Sequence, residues 1–167
     1  YDADILLRWG DALFPDSPDF DPANQTEASQ LRQFGYNNDF IGMIPLSADR
    51  AALCINHEYT NEELMFPGLG NQEKKDFADM SPALVGVEMA AHGGTIVEIA
   101  RGSNGKWAVD RNGALNRRIT ASTPMRLSGP AAGHARMQTQ ADPNGTTVLG
   151  TINNCAGGIT PWGTYLM

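Results

Sequence analysis

A single thiol near the end of this sequence sits where it could react or bind a cation. It lies in Asn153-Asn154-Cys155-Ala156-Gly157-Gly158, followed by Thr160-Pro161-Trp162-Gly163-Thr164-Tyr165. Amides and glycines surround the sulfur, whereas a cysteine that only fills a core has apolar neighbours. Gly157 and Gly158 remove side-chain bulk where a second atom would approach, and Pro161 and Gly163 fix the chain around Trp162. The pattern predicts a thiolate in a rigid, polar pocket. The other cysteine, Cys54, lies in an apolar run at residues 51–55 and reads as a buried strand residue, so the two contexts argue against a disulfide.

Three further groups carry donor atoms. Asn37-Asn38-Asp39 interrupts a stretch that holds Phe34, Tyr36, Phe40 and Ile41. Its amide and carboxylate oxygens suit a hard cation such as calcium; the other reading is a β-bulge steadied by amides. Asn56-His57-Glu58-Tyr59-Thr60 leaves a predicted buried strand. Glu58 offers a carboxylate, and His57 offers a ring nitrogen or a hydrogen bond that orients Glu58; a surface pair at a turn is the plainer reading. Asn116-Arg117-Arg118-Ile119-Thr120 brings two guanidinium groups together, as a phosphate clamp or as partners for nearby acids. His134 closes a glycine-bounded turn, and His92 stands where it could satisfy helix carbonyls. The sequence has no nucleotide P-loop, Gly-x-Gly-x-x-Gly or Cys-x-x-Cys. A thiol, hard oxygens and an anion clamp together fit metal-assisted hydrolysis of a phosphate ester.

These groups need elements to hold them. The 167 residues suffice for one domain or for part of a larger one. Tyr1 at one end, and Leu166-Met167 in an apolar segment at the other, predict a chain cut at both ends. A formal charge of −7 argues against nucleic acid and anionic membranes as partners, and no apolar run is long enough to span a bilayer. Eighteen Gly and ten Pro punctuate short apolar segments. Strands are predicted at residues 5–9, 34–44, 51–56, 95–100 and 106–110, with a loop at 16–30 and polar loop at 62–79. Ser81-Pro82 opens a helix that Gly93-Gly94 stops. Asn104-Gly105 predicts a hairpin, and Asp142-Pro143-Asn144-Gly145 a further one. The fold class is mainly β and antiparallel, a sandwich or a propeller.

Five blocks, in order along the chain, resemble the N-terminal part of PhoX-type alkaline phosphatases. They are Phe34-Gly35-Tyr36-Asn37-Asn38-Asp39, Asn56-His57-Glu58-Tyr59-Thr60-Asn61, Val87-Glu88-Met89-Ala90-Ala91-His92-Gly93, Asn116-Arg117-Arg118-Ile119-Thr120, and residues 153–158 running on to Trp162-Gly163-Thr164. The resemblance implies a β-propeller with short helical and loop insertions, of which residues 1–167 are an incomplete N-terminal portion. It implies hydrolysis of phosphate monoesters by a monomer, with iron and calcium as cofactors. It implies export by the twin-arginine route to the periplasm or the cell exterior. Cys155 takes the role of a thiolate bridging two irons, Asn38 that of a calcium ligand, and Glu58 matches a family motif as a metal ligand. Arg117 and Arg118 keep the phosphate-binding role read from their chemistry, and no catalytic residue is assigned. The alternative is a non-catalytic extracellular propeller module stabilised by calcium.

Overall fold

The computed structural model describes residues 3–167, so Tyr1, where the sequence predicts a cut end, lies outside it. A turn at Ala48-Asp49 folds β1 (Asn38–Ser47) against β2 (Arg50–His57). β3 (Gly93–Arg101) pairs with the other edge of β2 without interruption, from Arg50↔Ala100 to His57↔Gly93. The predicted Asn104-Gly105 turn then returns the chain as β4 (Trp107–Val109). β4 covers only the last residues of β3, and β5 (Arg117–Ile119) pairs with its first residues. The result is an antiparallel sheet ordered β1-β2-β3-β4, with β5 on the same edge of β3 as β4.

Strand alternation splits β2 between two cores. Ala51, Leu53 and Ile55 pack on one face with Leu13, Phe34, Val97 and Ile99. Ala52 and Cys54 pack on the other with Ile96, Ile44, Ile119, Ile159 and Tyr165. β3 is therefore buried on both faces, whereas its alternating sequence predicts one wet face.

The helices are few. α1 (Glu27–Gln30) and α2 (Glu62–Met65) are single turns in segments that read as loop. α3 (Pro82–Ala91) is the predicted helix: the Ser81 hydroxyl accepts from the Leu84 N–H at 3.3 Å, and Pro82 fills the first turn. Gly93 follows with φ 92°, a conformation that suits glycine. Val87 and Ala91 bury the helix against Met65 and Phe66.

Two expectations are corrected. Residues 5–9 run without a strand ladder, because the nearby bridge joins Ala12 to Gln33 instead. The turn at Asp142 does not make a local hairpin: β7 (Thr147–Leu149) pairs back to β6 (Pro124–Arg126). The Asp142 carboxylate accepts from the N–H groups of Asn144, Thr146 and Thr147, so it organises the returning loop. A last small ladder joins β8 (Gly158–Ile159) to β9 (Tyr165–Leu166). The chain is mainly β with few helices; its sheets are open, and no closed ring of strands occurs among the described residues.

Candidate metal centre

β2 ends at His57, and its alternation places Cys54, Asn56 and the next residue in step, Glu58, on one face. β1 reaches that face by a bulge. Asn38 pairs with His57 and Ile41 with Ile55, so Asp39 and Phe40 together oppose Asn56. The extra residue turns Asp39 toward the Glu58 side and leaves Asn38 opposite His57. The segment before β8 then lies across both strand ends and delivers Cys155.

Oxygens of Asp39 and Glu58 and the Cys155 sulfur all lie within 4.8 Å of one another. The Cys155 thiol donates to Asp39 Oδ2 at 2.9 Å. Hydrogen bonding to Asp39, then to Glu58, pushes the thiol up to about 11, with some loss of hydration and the two negative charges adding to the rise. Without a cation, then, the sulfur keeps its proton. A bound cation reverses that preference by favouring the thiolate. Cys155 and Asp39 are exposed and Glu58 is half-buried, so the group is open to solvent.

The backbone of this corner is tightly specified. The Cys155 carbonyl accepts from the Phe40 N–H at 3.4 Å and from Asn56 Nδ2 at 2.9 Å. Asn56 Nδ2 also donates to the Ala156 carbonyl at 3.1 Å, and the Tyr165 hydroxyl donates to Asn56 Oδ1. The Glu58 N–H donates to the Asn37 carbonyl at 3.0 Å. Asn37 and Asn153 hold φ of 46° and 57°, the left-handed region that asparagine tolerates better than most residues. Gly157 is required by contact: a Cβ there would stand 2.7 Å from Phe40 Cδ1 and 2.9 Å from the Leu166 carbonyl oxygen.

Of the residues singled out in the sequence, Cys155 and Glu58 come together. Asn38 stands beside them at the start of β1, exposed, and Asp39 occupies the position nearest the sulfur. A strict alternation hides Asp39; the run Asn37-Asn38-Asp39, read as a bulge, is the signal that finds it. His57 is fully buried, its ring edge-on to Phe34. Its Nδ1–H donates to the Tyr36 carbonyl at 3.1 Å, so Nε2 accepts from the Thr95 hydroxyl at 2.7 Å. Burial holds its pKa well below the ordinary value, and both nitrogens of the neutral ring are occupied.

The two arginines part company. Arg118 pairs with Thr95 in register, on the His57 side of the sheet. Its guanidinium donates to the carbonyls of Gly94 (2.9 Å), Ala90 (2.7 Å) and His92 (2.9 Å) and to the Thr95 hydroxyl (2.9 Å). Arg118 thus satisfies the end of α3, the task that the sequence suggested for the His92 side chain. Arg117 pairs with Ile96, is exposed, and shares the face of Cys54 and Asn56. His134 is exposed; its Nδ1 accepts from the Arg136 N–H at 3.2 Å and steadies a turn. Cys54 is buried and, like Cys155, unpaired.

Two carboxylates and a sulfur form a donor set that fits iron, which takes both oxygen and thiolate; calcium prefers oxygen alone. An antiparallel sheet with this cluster at one corner defines a mainly β protein with a candidate metal site. The family described as Alkaline phosphatase PhoX matches residues 1–167, and the chain belongs to that family. It is also similar to a solved structure of Pseudomonas fluorescens PhoX in complex with vanadate, a transition state analogue: 41% identity, TM-score 0.85, over 97% of this chain. The chain spans 27% of the length of that structure. No curated protein matches it.

Proposed function

We propose that this chain is the N-terminal portion of an alkaline phosphatase that hydrolyses phosphate monoesters, with Cys155, Glu58 and Asp39 as part of an iron and calcium centre. The convergence of three ligating atoms within 4.8 Å carries the reading, and the family match supports it. Iron and calcium, when bound, would polarise the phosphoryl oxygens and offset the charge that develops in the transition state. Asp39 and Glu58 supply the negative charge that draws cations to this corner. Cys155 supplies the soft ligand for iron, and Asn38 an amide oxygen for calcium. Arg117, on the same face, makes no side-chain hydrogen bond among the described residues and can hold an anionic substrate; Arg118 already has four partners.

The β1-β2-β3-β4 meander has the strand order of a propeller blade, which supports placing it in a larger propeller. We further propose that the enzyme acts as a monomer outside the cytoplasm, after twin-arginine export; no helix among the described residues is long and apolar enough to cross a membrane. The sulfur counts against the alternative of a calcium-stabilised module without catalysis, because calcium does not favour it.

The experiment is metal loading and phosphomonoester turnover in a polypeptide extended to the length of the solved relative. Iron bound through sulfur, and turnover lost in Cys155→Ala, are expected. Unchanged turnover in that variant, or an active protein without iron, overturns the proposal. Residues 1–167 alone should turn over little or no substrate.

A further inference from the structure

We infer that Asn56 and Tyr165 form a clamp that sets the position of the Cys155 sulfur, which makes Asn56 a positioning residue for the metal centre. The inference rests on the metal reading above but goes beyond it, since neither residue is itself a ligand.

Asn56 is a buried amide with no exposed surface, and both its NH2 group and its oxygen have partners. Its orientation is fixed by chemistry. The carbonyls of Cys155 and Ala156 only accept, so the NH2 group must face them, at 2.9 and 3.1 Å. The oxygen must then face the Tyr165 hydroxyl, which donates to it. Tyr165 is held in turn by stacking on Phe40, with ring centroids 6.1 Å apart, and by the core around Cys54.

The clamp joins the two carboxylates to the sulfur through one atom. The Cys155 carbonyl accepts from Asn56, two residues before Glu58, and from the N–H of Phe40, next to Asp39. Each carboxylate-bearing strand therefore grips the residue that carries the thiol. Asn56, Glu58 and Cys155 form a rigid triangle only while both amide N–H bonds persist. A ligand set held this way needs no reorganisation when a cation arrives.

The test is Co²⁺ binding to the polypeptide extended to the length of the solved relative, read by the sulfur-to-cobalt charge-transfer absorption, with alkylation of the buried Cys54 as a monitor of folding. In Asn56→Asp the acceptor for Tyr165 remains, but an oxygen faces two carbonyl oxygens. We expect Cys54 to stay protected while Co²⁺ affinity falls about tenfold to a hundredfold and the sulfur band weakens. Equal affinity and an equal band in this variant overturn the clamp. Should Cys54 become reactive in Asn56→Asp, Tyr165→Phe decides instead: it keeps the ring and removes one hydrogen bond. A fall in Co²⁺ affinity with Cys54 protected supports the clamp, and an unchanged affinity overturns it. A parent chain that binds Co²⁺ with no sulfur band overturns the metal reading itself, which separates that failure from a failure of the clamp.

Discussion

Asp39 and Cys155 lie 116 positions apart in the sequence and 2.9 Å apart in the fold. The contact places a proton donor against a carboxylate, and under the proposed function the same two groups are a ligand pair. Asp39→Asn keeps the shape and removes the charge. Its affinity for Co²⁺ or ferrous iron should fall by about tenfold or more, while stability changes by no more than ~0.5 kcal/mol, because Asp39 is exposed. Metal titration and urea unfolding measure the two effects. Equal affinity in the variant would remove Asp39 from the ligand set.

Gly157 lies between Phe40 and β9. Gly157→Ala drives a methyl to 2.7 Å from the Phe40 ring. Unfolding should become easier by about 1–3 kcal/mol, or the Cys155 loop should lift from β1. The alkylation rate of Cys155, set beside the thermal midpoint, distinguishes these outcomes. A variant identical to the parent in both would contradict the close approach.

Arg118, on β5, ties the end of α3 to the start of β3. Arg118→Met strands three carbonyls and a hydroxyl, at a cost of about 2–4 kcal/mol. Co²⁺ affinity of the folded fraction should not change, since Arg118 lies on the opposite face from Glu58. A variant of parental stability that binds phosphate more weakly would instead restore the phosphate-binding role.

The acid limb of stability should depend on Glu98. Its carboxylate accepts from Arg50 at 2.7 Å and from the Leu115 N–H at 3.0 Å, and the Arg50 hydrogen bond holds its pKa below the ordinary value. Asp110, on the same Arg50 nitrogen, is lowered likewise. Protons thus bind more readily to the unfolded chain. The stabilisation is complete above the ordinary glutamate pKa of 4.5 and is lost as pH falls through the folded value. Glu98→Gln should cost about 1–2 kcal/mol at neutral pH and flatten the fall in urea midpoint below about pH 4.5. An unaltered acid limb would refute this.

Local chemistry made much of this legible in the sequence. Ser81-Pro82, Asn104-Gly105 and the apolar run around Cys54 each determine their element within a few residues, and each is found as read. The site was half legible. Glu58 at a strand end and Cys155 among amides stand out by composition. Asp39 is legible as one of three donors in Asn37-Asn38-Asp39, but a bulge shifts the side-chain period by one, and only pairing with β2 shows that Asp39 rather than Asn38 meets the sulfur. Arg117 and Arg118 look equivalent as a dipeptide, yet alternate on a strand, so one faces the helix end and the other the site face. The pairing of β7 with β6 is not legible, because a long loop separates the two strands in the sequence. His57 reads as a ligand, as an orienting partner of Glu58 or as half of a surface pair, until its burial against Phe34 is seen.

The alternation that carries Cys54, Asn56 and Glu58 on one side of β2 has a cost for variation in length. One residue inserted between Asn56 and Glu58 would turn the carboxylate to the opposite side of the strand from the amide that grips the Cys155 loop. The exposed stretch between β6 and β7 carries no such constraint. Length differences among relatives should therefore collect there, while the spacing of two residues between Asn56 and Glu58 stays invariant.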